Sequence, residues 1–184
     1  MAISCLINKN LTKADFCGYS LKQITDIYLA NYSELDGVEV DAESGYEITG
    51  ITGETVWYHI EPAKDTSSYN DDLVVGGNGS KYRTHTMTFS FNGAYSKDLA
   101  SILDSLSLGR FVAVLKLSDG SAIMLGRLTG LEASSASSLS EAAADGQNGI
   151  NVTLECNTVE PAIPLSTAAL EALIAKVSAP SVDE

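Results

Sequence analysis

Residues 83–91, with the sequence R-T-H-T-M-T-F-S-F, alternate without a break between small hydroxyl residues and larger ones. Successive side chains of a β-strand point to opposite faces, so this alternation predicts a strand with two different surfaces. The residues on the predicted core side are His85, Met87, Phe89 and Phe91. The residues on the opposite side all carry hydroxyl groups: Thr84, Thr86, Thr88 and Ser90. A sheet that contains this strand has one apolar face and one face that is polar but uncharged.

Several other segments are rich in β-branched and aromatic residues, which are typical of strands. These segments are 24–29, 38–40, 46–49, 55–60, 111–117, 122–128 and 149–157. Residues 118–121, S-D-G-S, have the composition of a hairpin turn between two of them. Together they predict a mainly β fold of the α+β class, a β-sandwich or small barrel of about seven or eight strands.

Residues 96–108 show the periodicity of an amphipathic helix. Their apolar residues recur at helical spacing, Ser96 is placed as an N-cap, and Gly109 follows the last apolar residue. We therefore predict one helix that flanks the sheet.

A second amphipathic segment, 166–177, follows Pro161 and Pro164. One helical stripe of this segment carries its larger apolar residues, Leu170, Leu173, Ile174 and Val177. We predict a helix that docks on its own sheet or on a neighbouring subunit. The corresponding division of the chain is a β-sandwich domain at 1–160 and a proline-linked helix and tail at 161–184.

A turn-rich segment, 61–80, separates the strand predicted at 55–60 from the strand at 83–91. We predict a long hairpin whose loop exceeds the length needed to reverse the chain, and such surplus is typical of functional or disordered loops. Its apolar and aromatic side chains would be exposed in a monomer, which predicts a contact between subunits. The residues assigned to this contact are Tyr69, Leu73, Val74 and Val75.

A second unusual segment, 132–148, consists mainly of serine and alanine. Such side chains are too small and too polar to build a core. We predict a mobile loop there.

The net charge of the 184-residue chain is −13. It disfavours tight binding to DNA or to an anionic membrane, because both would be repelled. The chain has no apolar run of about 18 residues and no secretion signal in its first ten residues, so we predict neither a membrane span nor export. Cys5, Cys17 and Cys156 lack a C-x-x-C pairing, which predicts reduced thiols made in a cytoplasm.

Common catalytic and nucleotide-binding motifs are absent from the sequence. The two histidines, His59 and His85, lie in strands that are predicted to pair, but a pair without a third ligand is more often packing than a metal site. Asp65 and Asp71 lack the ligand spacing of a calcium loop. We therefore predict no catalytic residue, no cofactor and no metal.

Three segments carry a resemblance to a known family. They are C-G-Y-S-L-K-Q-I-T-D-I-Y-L-A-N-Y at 17–32, Y-H-I-E-P-A-K-D-T-S-S-Y-N-D at 58–71, and S-K-D-L-A-S-I-L-D-S-L-S-L-G-R-F-V-A-V-L-K-L-S-D-G at 96–120. In the order of its elements, most of the chain resembles the tail tube protein family of tailed phages and of contractile injection systems such as type VI secretion.

This resemblance implies a non-enzymatic structural subunit of the virion, assembled in the host cytoplasm into stacked and usually hexameric rings. It implies three kinds of partner: further copies of the chain, other tail or neck proteins, and DNA that passes through the lumen without specific binding. A conduit for DNA should expose hydroxyls or acids, because inward cations would bind phosphate. We therefore assign Thr84, Thr86, Thr88 and Ser90 to the lumen.

Three alternatives remain open. The serine- and alanine-rich segment and the tail helix depart from the family, which leaves a ring protein of the head–tail neck or hub as one alternative. A carbohydrate-binding β-sandwich would be a monomer with a concave aromatic face. A small hydrolase would gather His59 or His85 with acids in a pocket. A large homo-oligomer distinguishes the structural function from the last two.

Overall fold

The computed structural model describes residues 23–93, 96–140 and 148–177. Eleven strands form a single hydrogen-bonded sheet. They are β1 Ile24–Asn31, β2 Val38–Val40, β3 Ile48–Ile51, β4 Tyr58–Ile60, β5 Ser68–Val75, β6 Lys81–Asn92, β7 Arg110–Leu117, β8 Ala122–Leu125, β9 Leu131–Ser140, β10 Asn148–Thr158 and β11 Ile163–Leu165. The helices are α1 Lys97–Leu108 and α2 Thr167–Ile174, with a short 3-10 helix at Tyr32–Glu34. The predicted mainly β fold of the α+β class is confirmed, with more strands than expected.

The sheet divides into two arms. The first arm has the strand order β4-β1-β7-β8-β11-β3-β2, and the second has the order β9-β10-β6-β5. They join where the start of β7 pairs with the start of β9, at Arg110 opposite Glu132 and Phe111 opposite Leu131. Pairing is antiparallel throughout except between β11 and β3.

The central strand, β7, explains why the fold has two cores. Its residues from Phe111 to Leu115 are all buried, as expected of a strand that is covered on both faces. Phe111, Ala113 and Leu115 face the second arm, whereas Val112 and Val114 face the opposite way.

The first core lies between the two arms and beneath α1. Met87 and Phe89 of β6 meet Ile27 and Leu29 of β1 there, so the odd-numbered residues of β6 point inward as the alternation predicts. Helix α1 adds Leu99 and Leu106. The hydroxyl of Ser96 caps this helix by accepting a hydrogen bond from the Leu99 N–H at 3.2 Å.

The second core lies on the outer side of the first arm, beneath α2. Leu170 and Leu173 of the helix and the fully buried Trp57 pack against β3, β7 and β8. Trp57 also forms an isolated parallel bridge with Val177, just after α2. Of the predicted tail at 161–184, the described part runs to residue 177; β11 lies within the first arm and α2 rests on it.

The hairpin predicted between 55–60 and 83–91 is wrong, and so is its long loop. Strand β4 pairs with β1, and β6 pairs instead with β5, which lies inside the predicted loop. Only residues 76–80 reverse the chain, and Gly79 adopts a positive φ of 82° that suits a glycine in a tight turn. Strand β5 lacks a recognisable pattern because its apolar side chains do not face a core.

The mobile loop predicted at 132–148 is also wrong for the part that the structure describes. Residues 131–140 form β9, which pairs with β10 over its length. Backbone hydrogen bonds to β10 hold this strand, and of its side chains Leu131 and Ala133 pack in or against the first core. Residues 141–147 lie outside the described part of the chain.

Candidate functional site: a polar face on the second arm

The outward side of the second arm carries hydroxyl, amide and carboxylate groups. Thr84, Thr86 and Thr88 are half-buried there and Ser90 is buried, and none of the four belongs to either core. In register with them lie Ser68, Asn70 and Asp72 on β5 and Asn151, Thr153, Glu155 and Asn157 on β10. We call these eleven residues the polar face. None of them is lysine or arginine.

Cross-strand hydrogen bonds connect β6 to β10 across the polar face. The Thr84 hydroxyl donates to the Asn157 side-chain oxygen at 2.9 Å, and the Ser90 hydroxyl donates to the Asn151 side-chain oxygen. Pairs of this kind stabilise a sheet by about 0.2 to 1 kcal/mol each relative to alanine. Together with the Thr88–Thr153 pair, these bonds connect six of the eleven residues of the polar face to one another.

One edge of the second arm is β5, which pairs among the described residues only with β6. On its inner side, Tyr69 is 36% exposed and Leu73 and Val75 are each 58% exposed, because β5 extends past the first core. Val74 lies on the other face, opposite Tyr82, and is half-buried. Three of the four residues assigned to the subunit contact thus form an exposed apolar row on an open strand edge.

An ionic cluster ties the root of the β5–β6 hairpin to the body of the protein. The Asp71 carboxylate accepts hydrogen bonds from the Arg83 guanidinium at 2.6 and 3.0 Å and from the Ala162 N–H at 3.0 Å. Burial alone would raise the pKa of Asp71, but these hydrogen bonds outweigh it and hold the pKa below its ordinary value. Beside this cluster lies the buried His85, whose Nε2 is 3.6 Å from Asp71 Oδ1.

The two histidines do not meet. His59 hydrogen-bonds Asp26 at 2.8 Å and stacks on Tyr28, on the first arm. Asp26 also pairs with Lys116 at 3.1 Å. Within the described ranges, no three His, Cys, Asp or Glu side chains are grouped so that they could hold a metal ion.

The residues assigned to tail-helix docking divide into two groups. Leu170 and Leu173 are buried in the second core and Val177 packs against it, whereas Ile174 is 42% exposed. Helix α2 therefore docks on its own sheet through Leu170 and Leu173, with Val177 just after its end.

Sequence reasoning missed Asp71 as a buried-cluster residue. Asp71 on β5 lies directly opposite His85 on β6, and this proximity can be recognised only when the pairing of the two strands is known.

No helix in the described part of the chain is long and apolar enough to cross a membrane. No protein-family model matches the chain, and no curated protein matches its sequence.

Proposed function

We propose that the protein is a structural subunit that assembles with copies of itself into stacked rings, as part of a phage tail or a related injection machine. The polar face lines the conduit through which DNA passes. The observation that carries this proposal is the composition of that face, which extends over three strands and contains no lysine or arginine.

A conduit must hold DNA without binding it. Each lysine or arginine on the wall would pair with phosphate and release counterions, and the sum over many subunits would stop the DNA. Hydroxyls that already bond to one another offer few free donors to phosphate. The carboxylates of Asp72 and Glu155 repel it, and the net charge of −13 acts in the same direction.

Self-association is supported by β5. An exposed strand edge with apolar side chains is a surface on which another chain adds readily, and most edges in monomers are protected by charge, proline or a covering element. A contact of this edge with a different surface of the next copy is head-to-tail, and such contacts form a ring when the rotation between copies closes. The partners are therefore other copies of this chain, together with further tail or neck proteins at the ends of the assembly.

The alternatives from the sequence find less support. A carbohydrate-binding face needs exposed aromatic rings side by side. Trp57 is buried in the second core, and the exposed Tyr58 and Tyr69 lie on β4 and β5, which belong to different arms. A hydrolase that uses His59 and His85 together would need them in one pocket, and they lie in separate surroundings. A neck or hub ring uses the same face and the same edge, so it remains the second candidate.

Light scattering coupled to size-exclusion chromatography, followed by electron microscopy of the eluted species, tests the proposal. We expect rings or tubes with a central channel, in amounts that rise with protein concentration. A monomer at every concentration, from dilute to the limit of solubility, would contradict self-assembly. A ring whose polar face lies on the outer wall would contradict the conduit.

A further inference from the structure

The imidazole of His85 is 2% exposed and lies where three parts of the chain meet: β6, the turn between β8 and β9, and the hairpin strand β5. Its Nδ1 accepts a hydrogen bond from the backbone N–H of Gly126, with 3.4 Å between the nitrogens. A backbone N–H is only a donor, so Nδ1 carries no proton. The single proton of the neutral ring is therefore on Nε2.

Several charged and titratable groups surround this ring. Asp71 and the backbone and carboxylate of Glu160 favour its cation, whereas burial and the charge of Arg83 oppose it. Nε2 makes no hydrogen bond in the described structure and faces Asp71 Oδ1 at 3.6 Å. That carboxylate already accepts hydrogen bonds from Arg83 and from the Ala162 N–H. The groups around the ring are Asp71 on β5, Arg83 on β6, Cys156 opposite it on β10, Glu160 after β10, and Arg127, which pairs with Glu160 from the β8–β9 turn.

Burial lowers the pKa of His85, and although the charge of Asp71 opposes this effect, the net direction is down. Protonation would also place a second donor on Nδ1, against the N–H of Gly126. The turn has little room to adjust, because Gly126 has a φ of 74° and a Cβ there would lie 2.8 Å from Leu131 and 3.3 Å from the Phe111 carbonyl. A ring that carries a proton on Nδ1 therefore requires the contact with Gly126 to open.

We propose that His85 is an acid-sensitive joint between β6 and the β8–β9 turn, in which the hydrogen bond from the Gly126 N–H is made while the ring is neutral and is broken when the ring is protonated. The hairpin is the element that carries the open edge and the exposed apolar row. Acidification thus removes one contact between that hairpin and the β8–β9 turn, while the pairing of β6 with β10 and the Asp71–Ala162 hydrogen bond remain.

The direction with pH follows from proton binding. The opened or unfolded state binds the proton more tightly than the folded state, so folding is favoured as pH rises. The contribution is complete above the ordinary histidine pKa of about 6.5 and is lost progressively below it. For one such group, the opening equilibrium constant rises by at most about 25-fold between pH 7 and pH 5.

Amide hydrogen exchange by NMR, from pH 7 to pH 5, tests this proposal on the full chain. We expect the protection of the Gly126 amide to fall by up to about 25-fold as the pH is lowered, once the intrinsic change in exchange rate is removed. In His85→Asn the side-chain oxygen can replace Nδ1 as acceptor but cannot be protonated, so the protection should not change with pH. His59→Gln is the matched control and should behave as the wild type does.

Equal pH dependence in His85→Asn and the wild type would overturn the proposal. If His85→Asn does not fold, the NMR signals of the His85 ring in the wild type test the proposal instead. We expect the His85 ring to remain the neutral Nε2–H tautomer for as long as the Gly126 amide stays protected. A ring that becomes protonated while that protection is unchanged would show that the site accommodates the charge, and the joint would not exist.

Discussion

The hydroxyl oxygens of Thr88 and Thr153 lie 3.2 Å apart, across the pairing of β6 with β10. Each serves as the other's hydrogen-bond partner in the middle of the polar face. A surface whose groups are satisfied internally attracts water and phosphate less than one with unpaired donors. The lack of free donors for phosphate on this face is therefore a property of the cross-strand pairs as well as of the absence of lysine and arginine.

A lysine in the polar face should slow the passage of DNA. In Thr86→Lys, each ring gains one cation per subunit, and we expect DNA ejection from assembled particles to be slowed at low salt and restored at high salt. The cross-strand Glu155 neutralises part of that charge, so Thr86→Lys with Glu155→Gln should be slower still. Folding should change by no more than about 0.5 kcal/mol.

The control for that experiment is Thr49→Lys, which adds the same charge to an exposed residue of β3 in the first arm. Ejection from particles that carry this control should match the wild type. If both lysine variants eject DNA at the wild-type rate at low salt, the polar face does not border the DNA.

Removing the apolar row on β5 should abolish assembly and leave the monomer folded. The side chains of Leu73 and Val75 are more than half exposed in the wild type. We therefore expect Leu73→Ser/Val75→Ser to change the free energy of unfolding only slightly. Burial of the same side chains between copies would contribute roughly 25 cal/mol per Å² of apolar surface. Light scattering should show monomers for this variant and oligomers for Tyr46→Ser, which removes a 53% exposed ring from the first arm.

Two neighbouring residues of α2 should differ sharply in their effect on stability. Leu173 is fully buried in the second core, so Leu173→Ala should lower the free energy of unfolding by about 2 to 5 kcal/mol. Ile174 is 42% exposed, and Ile174→Ala should cost less than about 1 kcal/mol. Urea denaturation measures both. Similar losses for the two variants would show that α2 is not held by the second core.

The Asp71–Arg83 pair should contribute stability that disappears in acid. The folded protein holds the pKa of Asp71 below its ordinary value, so the unfolded chain binds the proton more tightly. The contribution is therefore present above the unfolded pKa of about 4 and is lost as the pH falls below it. A double-mutant cycle with Asp71→Asn and Arg83→Gln should show coupling at pH 6 that vanishes near pH 2. A coupling that is independent of pH would contradict this assignment.

Much of the fold could be predicted because burial leaves a pattern in the sequence. The alternation in β6 identifies its two faces, the continuous apolar run of β7 indicates a strand covered on both sides, and Ser96 and Ser166 mark the starts of the helices. These signals are local, so they can be recognised without knowing which strands pair or which elements pack together.

The parts that could not be predicted depend on long-range pairing. Strand β4 pairs with β1, about thirty residues upstream, instead of with the next strong strand. Strand β5 carries its apolar side chains at an open edge, so it has no alternation between core and solvent. The contact between Asp71 and His85 depends on that pairing, and so does the separation of His85 from His59.

Strand β9 is built almost entirely from serine and alanine, yet it sits inside the sheet beside β10. Leu131 and Ala133 anchor its start in the first core, but the serines that follow carry little information about where the strand should lie. Its register comes from β10, from the irregularity opposite Thr153 and Leu154, and from the short pairing with β7. The exposed positions of such a strand place few requirements on the side chain. Its exposed serines can be exchanged for reporters, such as a cysteine that carries a fluorophore, with little cost to the fold, and evolution can change the same exposed positions without disturbing either core.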